Sequence, residues 1–232
     1  MTVPDKTVLE AVLRRDRLVV VGALVVVVAI AWIWIVRGAG TGMSTLGLNR
    51  NSGMPEVADM MMAPAPWTLG YARLMFAMWW VMMAAMMLPS AGPAIVRRAR
   101  DDVGVLAAPL FAGSYLGVWA LAGLAMWLLY QPPGAAASGA LLVGAGFYEL
   151  TPLKRECRRR CRDRVRSGAR FGALCFCSSI GLMLVLVAVN VMSVPLMIAI
   201  AAVVLAQKLF PPHPTLDLSL ALVIVALGIA TA

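Results

Sequence analysis

Apolar residues in this chain come in long unbroken runs. They do not alternate as in a half-buried strand, nor do they mark the narrow stripe of a surface helix. The first run, Leu18 to Val36, follows a charged start from Lys6 to Arg17. A helix needs about 20 such residues to cross a hydrocarbon core of about 30 Å. Further runs cover about Leu69 to Leu88, with Pro89 ending the span, then Val105 to Tyr130 and a short Gly- and Ala-rich stretch, Ala135 to Leu150. Three more cover Phe171 to Val191, Val194 to Leu209 and Leu216 to Ala230. The pattern predicts an all-α fold, a polytopic transmembrane helix bundle of about seven spans, or six if the fourth segment does not cross. The first run is too long for a signal-peptide core and is followed by no clean small-residue cleavage site, so it reads as a retained helix. Trp32 and Trp34 near its end suit an interfacial anchor. Gly113 and Gly117 have the spacing that lets two membrane helices approach closely.

Composition strengthens this picture. The chain is 62% hydrophobic and only 13% charged, against about half and a quarter in soluble domains. Its mean hydropathy is +0.86. The net charge of +9 does not point to nucleic acid, because the basic residues sit in short segments between apolar runs, where cytoplasmic loops collect Lys and Arg. With seven spans and the N-terminus inside, the N-terminal segment, Arg97 to Arg100, Lys154 to Arg170 and Lys208 all fall on one side. The expected organisation is a cytoplasmic segment, 1–17, and a single transmembrane domain, 18–232. That domain has an outer Met-rich loop, 37–68, and a basic inner loop, 151–170. The expected location is the cell (inner) membrane, multi-pass, with the N-terminus cytoplasmic. The expected partners are the lipid bilayer and either another membrane protein or a second copy of this chain, with no nucleic acid.

The second span has the densest candidate chemistry. Met75, Met78, Met82 and Met86 follow helical spacing, and Met83 and Met87 widen that face. Thioethers are soft ligands that suit copper(I), although methionine also fills irregular gaps in cores. The four cysteines form a second constellation. Cys157 and Cys161, four apart, share a helix face, whereas Cys175 and Cys177, two apart, diverge by roughly 200° on an ideal helix. In a cytoplasmic loop a disulfide is not expected, so reduced thiols are the main expectation. Arg158, Arg159, Arg160 and Arg162 favour thiolate at Cys157 and Cys161.

Glu149, beside the membrane boundary, is either a functional carboxylate or a partner for Lys154 or Arg155. His213, the lone histidine, lies between prolines and reads as solvated. The chain has no phosphate-binding loop, dinucleotide fingerprint or nucleophile–histidine pair, so no enzyme is expected.

The segment from Met78 to Pro89 resembles the family described as predicted metal-binding integral membrane proteins, also called domain of unknown function 2182. So do Tyr115 with Trp119, and Tyr148 to Lys154 followed by Cys157 and Cys161. The likeness runs from about Trp67 to Lys208. It implies a metal site built from Met and Cys, with Met183, Met192 and Met197 at family methionine positions. Three features depart from the family pattern. Glu149 stands where members often carry Gln. Cys177, Ser178, Ser179 and Ile180 replace a Gly-Cys-Cys-Trp segment, and Gln207–Lys208 replaces a Glu-Lys pair.

Two readings stay open at this point. One is soft-metal handling, most plausibly of copper(I), through Met75, Met78, Met82, Met83, Met86, Met87, Cys157, Cys161, Cys175, Cys177 and Met183. The other is a non-catalytic membrane scaffold or accessory subunit whose Met and Gly faces only pack helices.

Overall fold

The computed structural model describes residues 6–37, 69–101, 106–129, 135–163, 165–189, 193–210 and 214–231. The described residues form eight helices: α1 (Lys6–Val36), α2 (Leu69–Asp101), α3 (Ala107–Leu129), α4 (Ala135–Glu149), α5 (Pro152–Arg162), α6 (Gly168–Val189), α7 (Val194–Leu209) and α8 (Pro214–Thr231). The class is all-α, as the apolar runs predict. Four stretches are long and apolar enough to cross a membrane: Leu18–Val36, Ala72–Arg100, Ala107–Ala125 and Gly168–Val189. Two shorter apolar stretches, Val194–Leu209 and Thr215–Ala230, accompany them. The 15 residues of α4 rise only about 22 Å, short of a hydrocarbon core. This helix packs chiefly against α8 and then against α6.

Large apolar side chains cover the outside. Leu18, Val25, Val26 and Ile30 of α1, and Leu216, Leu222, Val223 and Ile229 of α8, are exposed. This is the surface that lipid tails tolerate and water does not. The interior is where α2, α3 and α6 meet, around Met83, Met86, Tyr115, Trp119, Cys175 and Leu186.

Two elements differ from expectation. Pro89 does not end the second span: α2 continues through Pro89 and Pro93 to Asp101. Proline is tolerated in a membrane helix when neighbouring groups take up the backbone's hydrogen-bonding capacity. The carbonyls freed are those of Ala85 and Pro89, and between them Ser90 Oγ, from the same turn, and Tyr115 Oη, from α3, donate to the Met87 carbonyl, at 2.8 and 3.2 Å. The second difference is that most of the basic segment 151–170 is not a loop. Pro152 to Arg162 form α5, with Thr151 as N-cap accepting from the Lys154 amide and Pro152 in the first turn. Hydrophobic periodicity misses this helix because its buried face consists of Lys154, Cys157, Arg158 and Cys161. The spacing is helical, but the residues are not those expected on an inward face.

The close helix approaches also lie elsewhere. Gly113 and Gly117 are exposed with open space beside them. A Cβ at Gly146 of α4 would meet the Ala221 carbonyl of α8 at 3.0 Å, and one at Gly228 of α8 would meet the Val143 amide nitrogen at 2.9 Å. A Cβ at Gly172 would come within 3.2 Å of the Tyr115 carbonyl on α3. Backbone cannot yield as a side chain does. Gly146→Leu and Gly228→Leu are therefore expected to destabilise by about 1–3 kcal/mol through overpacking. Gly113→Ala and Gly117→Ala gain up to about 1 kcal/mol from lower backbone entropy. Thermal unfolding in detergent, followed by circular dichroism, separates the two pairs. Equal melting temperatures for all four variants would show that α4 and α8 do not pack through these glycines.

Candidate metal centre

The buried face of α5 lies on α6, and the two cysteine pairs meet there. Cys157 is joined to Cys177 by a disulfide, with Cα atoms 6.2 Å apart, within the range a disulfide spans. This overturns the expectation of reduced thiols throughout. Sequence spacing could not show it, because the pairing depends on how α5 folds back onto α6. Cys161 and Cys175 are free and buried. The divergence expected within α6 is present: Cys177 turns to α5 and Tyr148, whose hydroxyl donates to the Cys177 carbonyl at 2.6 Å. Cys175 turns inward to α3 and α7.

Cys175 stands at the centre of a polar cluster inside an apolar bundle. Lys208 Nζ, from the end of α7, donates to Cys175 Sγ at 2.7 Å and to Ser90 Oγ at 2.9 Å. The Tyr115 hydroxyl is 3.3 Å from the same sulfur. The ammonium also lies 5.2 Å from the Phe171 ring centroid and 6.0 Å from that of Tyr115, within cation–π reach. Ser178 and Ser179 donate back to the Cys175 carbonyl at 2.9 and 2.7 Å. They steady the backbone that carries the thiol.

Cys161 borders this cluster from α5. Burial pushes its thiol up to about 12, nearby Cys175 adds to the shift, and Lys208 opposes it. The thiolate expected from neighbouring arginines is therefore not favoured here, because burial outweighs them and Arg158, Arg159 and Arg160 are engaged elsewhere. Arg158 donates to Asp217 Oδ1 at 2.9 Å and to the carbonyls of Gln207 and Phe210. Arg159 and Arg160 both hold Glu156, whose carboxyl they keep down at about 2.

The methionines are placed differently from a one-sided ladder. Met82, Met83, Met86 and Met87 are buried, and so are Ala84, Ala85 and Leu88 between and beyond them. The whole circumference of this turn is packed, and its Met87 carbonyl accepts from Tyr115 and Ser90 of the Cys175 cluster. Met78 is half-buried. The side chain of Met75 lies outside the described residues, as do segment 38–68, Met192 and His213. Met183 is buried on α6, eight residues and about 12 Å of rise beyond Cys175. Among the described residues, no three His, Cys, Asp or Glu side chains are placed to share one metal ion.

Beside the thiols lie two buried ion pairs. Lys154 Nζ bonds Glu149 Oε2, and Gln207 adds a donor to that oxygen at 3.4 Å. Glu149 therefore has the Lys154 partner that its position allowed. Burial pushes the Lys154 ammonium down, against the pull of Glu149. The Arg158–Asp217 pair was not anticipated. A lone carboxylate in the apolar run from Leu216 to Ala230 was the signal available for it.

A model of the PpoB2 family, described as copper chaperone, matches residues 76–231. The chain belongs to that family. The matched stretch holds the whole cluster, from the buried methionines of α2 to the α7–α8 junction. Comparison with curated proteins and with solved structures gives no match. The donor set suits the ion the family description names. Copper(I) is soft and prefers thiolate and thioether, and the cluster offers two free cysteines beside a methionine-rich turn.

Two outcomes follow from this geometry. Removing one partner of the Glu149–Lys154 pair, as in Glu149→Ala or Lys154→Met, is expected to cost about 3–5 kcal/mol, because a buried charge is left unpaired. The double variant costs less than the two single costs combined. Denaturant unfolding in detergent measures the cycle, and additive costs would mean that the charges do not depend on each other. In addition, alkylation of Cys161, mapped by peptide mass spectrometry, should accelerate about tenfold per pH unit without levelling by pH 10, because only the thiolate reacts. A plateau near pH 8 would contradict a thiol held neutral by burial.

Proposed function

We propose that this chain is a multi-pass membrane chaperone that holds copper(I) between Cys161 and Cys175, with the α2 methionines packed behind them. The observation that carries the proposal is the contact between Lys208 and Cys175. The other two cations turned into the interior, Lys154 and Arg158, each meet a carboxylate. Lys208 meets none among the described residues and turns to a sulfur instead. A copper(I) ion bound by two thiolates carries a net negative charge. Lys208 complements that loaded centre, although it would repel a bare cation. The lysine therefore suits the cargo once the thiols have given up their protons.

The finer topology belongs to the same proposal. Seven crossings, with α4 shortened and wedged between α6 and α8, put the N-terminus, the Arg97 end of α2, α5 and the Lys208 end of α7 on the cytoplasmic side. Arg97, Cys161, Arg162 and Lys208 line one cavity, and that meeting supports a common side. The N-terminal part of the apolar run in α1, Val21 to Ala29, packs beside the Arg97–Arg100 end of α2, which supports the N-terminus lying there too. The role is one of holding and passing on an ion, not of bond-making chemistry.

A second reading is favoured by one observation. The methionines from Met82 to Met87 are packed on all sides, so they serve the core whatever the cysteines do. Loading the detergent-purified protein with copper(I) under reducing conditions decides between the readings. About one copper per chain is expected, lost in Cys161→Ser and in Cys175→Ser and kept in Met82→Leu, because thiolates are the ligands that soft copper(I) selects. A parent protein that retains no copper would leave the packing role as the better account.

A further inference from the structure

Resting on that copper reading, the cavity in front of Cys161 indicates the form in which the cargo arrives. This cavity, of about 280 Å³, is lined by Ser90, Pro93 and Ala94 of α2, by Arg97, by Cys161 and Arg162 of α5, and by Phe171, Lys208 and Leu209. Among the described residues, three cationic side chains line the way to the thiol and no carboxylate does. Arg97 and Arg162 are exposed, and Lys208 reaches the floor, where it touches Cys175 Sγ and the buried hydroxyl of Ser90. Among the described residues, the next cavity along α5 continues the charge with Arg160, Arg166 and Arg170 against Asp163. A vestibule with this lining repels a free or cationic copper species and attracts an anionic one, since charges of one sign in a cleft focus their field on what enters it.

We infer that the cavity is an acceptor site for an anionic copper(I) bis-thiolate complex of a small thiol, and that copper passes from it by ligand exchange without change of oxidation state. In the first exchange a bond forms between copper and Cys161 Sγ, and one donor thiolate leaves. The Cys161 proton goes to that leaving thiolate, which departs as neutral thiol. The second exchange repeats this at Cys175, so that two thiols are released and copper ends between two protein thiolates. The net charge of the copper unit is minus one before, between and after the exchanges. Arg97 and Arg162 attract the complex at the mouth, and Lys208 faces the same charge at the floor.

The experiment compares two donors on the full-length protein in detergent, reduced and anaerobic. One donor is copper(I) complexed with excess glutathione, which is anionic, and the other is tetrakis(acetonitrile)copper(I), a cation. Copper per chain after timed mixing and desalting gives the two rates. In the parent protein, uptake from the anionic donor is expected to slow as salt is raised. In Arg97→Gln/Arg162→Gln the ratio of anionic-donor to cationic-donor rates should fall about tenfold, the scale of electrostatic steering. Charge reversal at both positions, R97E/R162E, should lower it further. Both side chains are exposed, so folding should be little affected, which circular dichroism checks. A parent with no salt dependence, or variants with an unchanged ratio, would overturn the inference and leave the copper reading standing. Uptake from neither donor would overturn both.

Discussion

A charge taken out of water must find an opposite charge or a full set of hydrogen bonds, and the inner end of this bundle is arranged around that requirement. Three cations, Lys154, Arg158 and Lys208, turn inward where α4, α5, α6, α7 and α8 converge. Glu149 answers the first and Asp217 the second. These pairs fix α5, a helix with almost no hydrophobic residues, against the apolar bundle. They join it to α4 and α8, and Arg158 also ties it to the α7 terminus through carbonyls of Gln207 and Phe210. The third cation is met by a sulfur, a hydroxyl and two aromatic rings. The position of Cys175 thus follows from the same electrostatic need that seats α5.

The scaffold and the site are therefore built by different forces. Lipid-facing leucines, valines and isoleucines make the bundle, and glycines set the spacing where α4 meets α8 and α3 meets α6. Neither selects an ion. In the proposed copper centre, selection would come from softness, which the cysteines provide, and from the sign of the surrounding charge, which lysine and arginine provide. Copper(I) held by two thiolates is the species for which these two properties agree.

The helical class and most element positions were legible in the sequence, because runs of about 20 apolar residues have few other uses. Pro89 misled, since a proline inside a membrane-length helix weakens it locally without having to end it, and α2 runs on to Asp101. The segment from Pro152 to Arg162 misled for a related reason: its inward face is polar, and only its partners on other helices make that face buriable. The cysteines could be singled out as candidates, but not sorted. That Cys157 pairs with Cys177 while Cys161 looks toward Cys175 depends on the docking of α5 on α6, which spacing along the chain does not encode. Lys208 was visible as a basic residue at the end of an apolar run and as the lysine beside the Gln207 departure, and its contact with Cys175 appears only once α7 is placed beside α6.

The prolines of α2 have a mechanical consequence. Each lacks an amide hydrogen, so the carbonyls four residues earlier, at Ala85 and Pro89, lose their intrahelical donor. Two rungs are missing from the ladder on either side of Met87 and Ser90, which are the residues that touch the thiol cluster. Bending of the helix costs least where these rungs are missing. One wall of the cluster is thereby weakened in its own backbone, while the opposite wall is stapled to α5 through Cys157 and Cys177. The two walls of the cluster thus differ in stiffness through covalent structure alone: missing amide hydrogens on one side, a disulfide on the other.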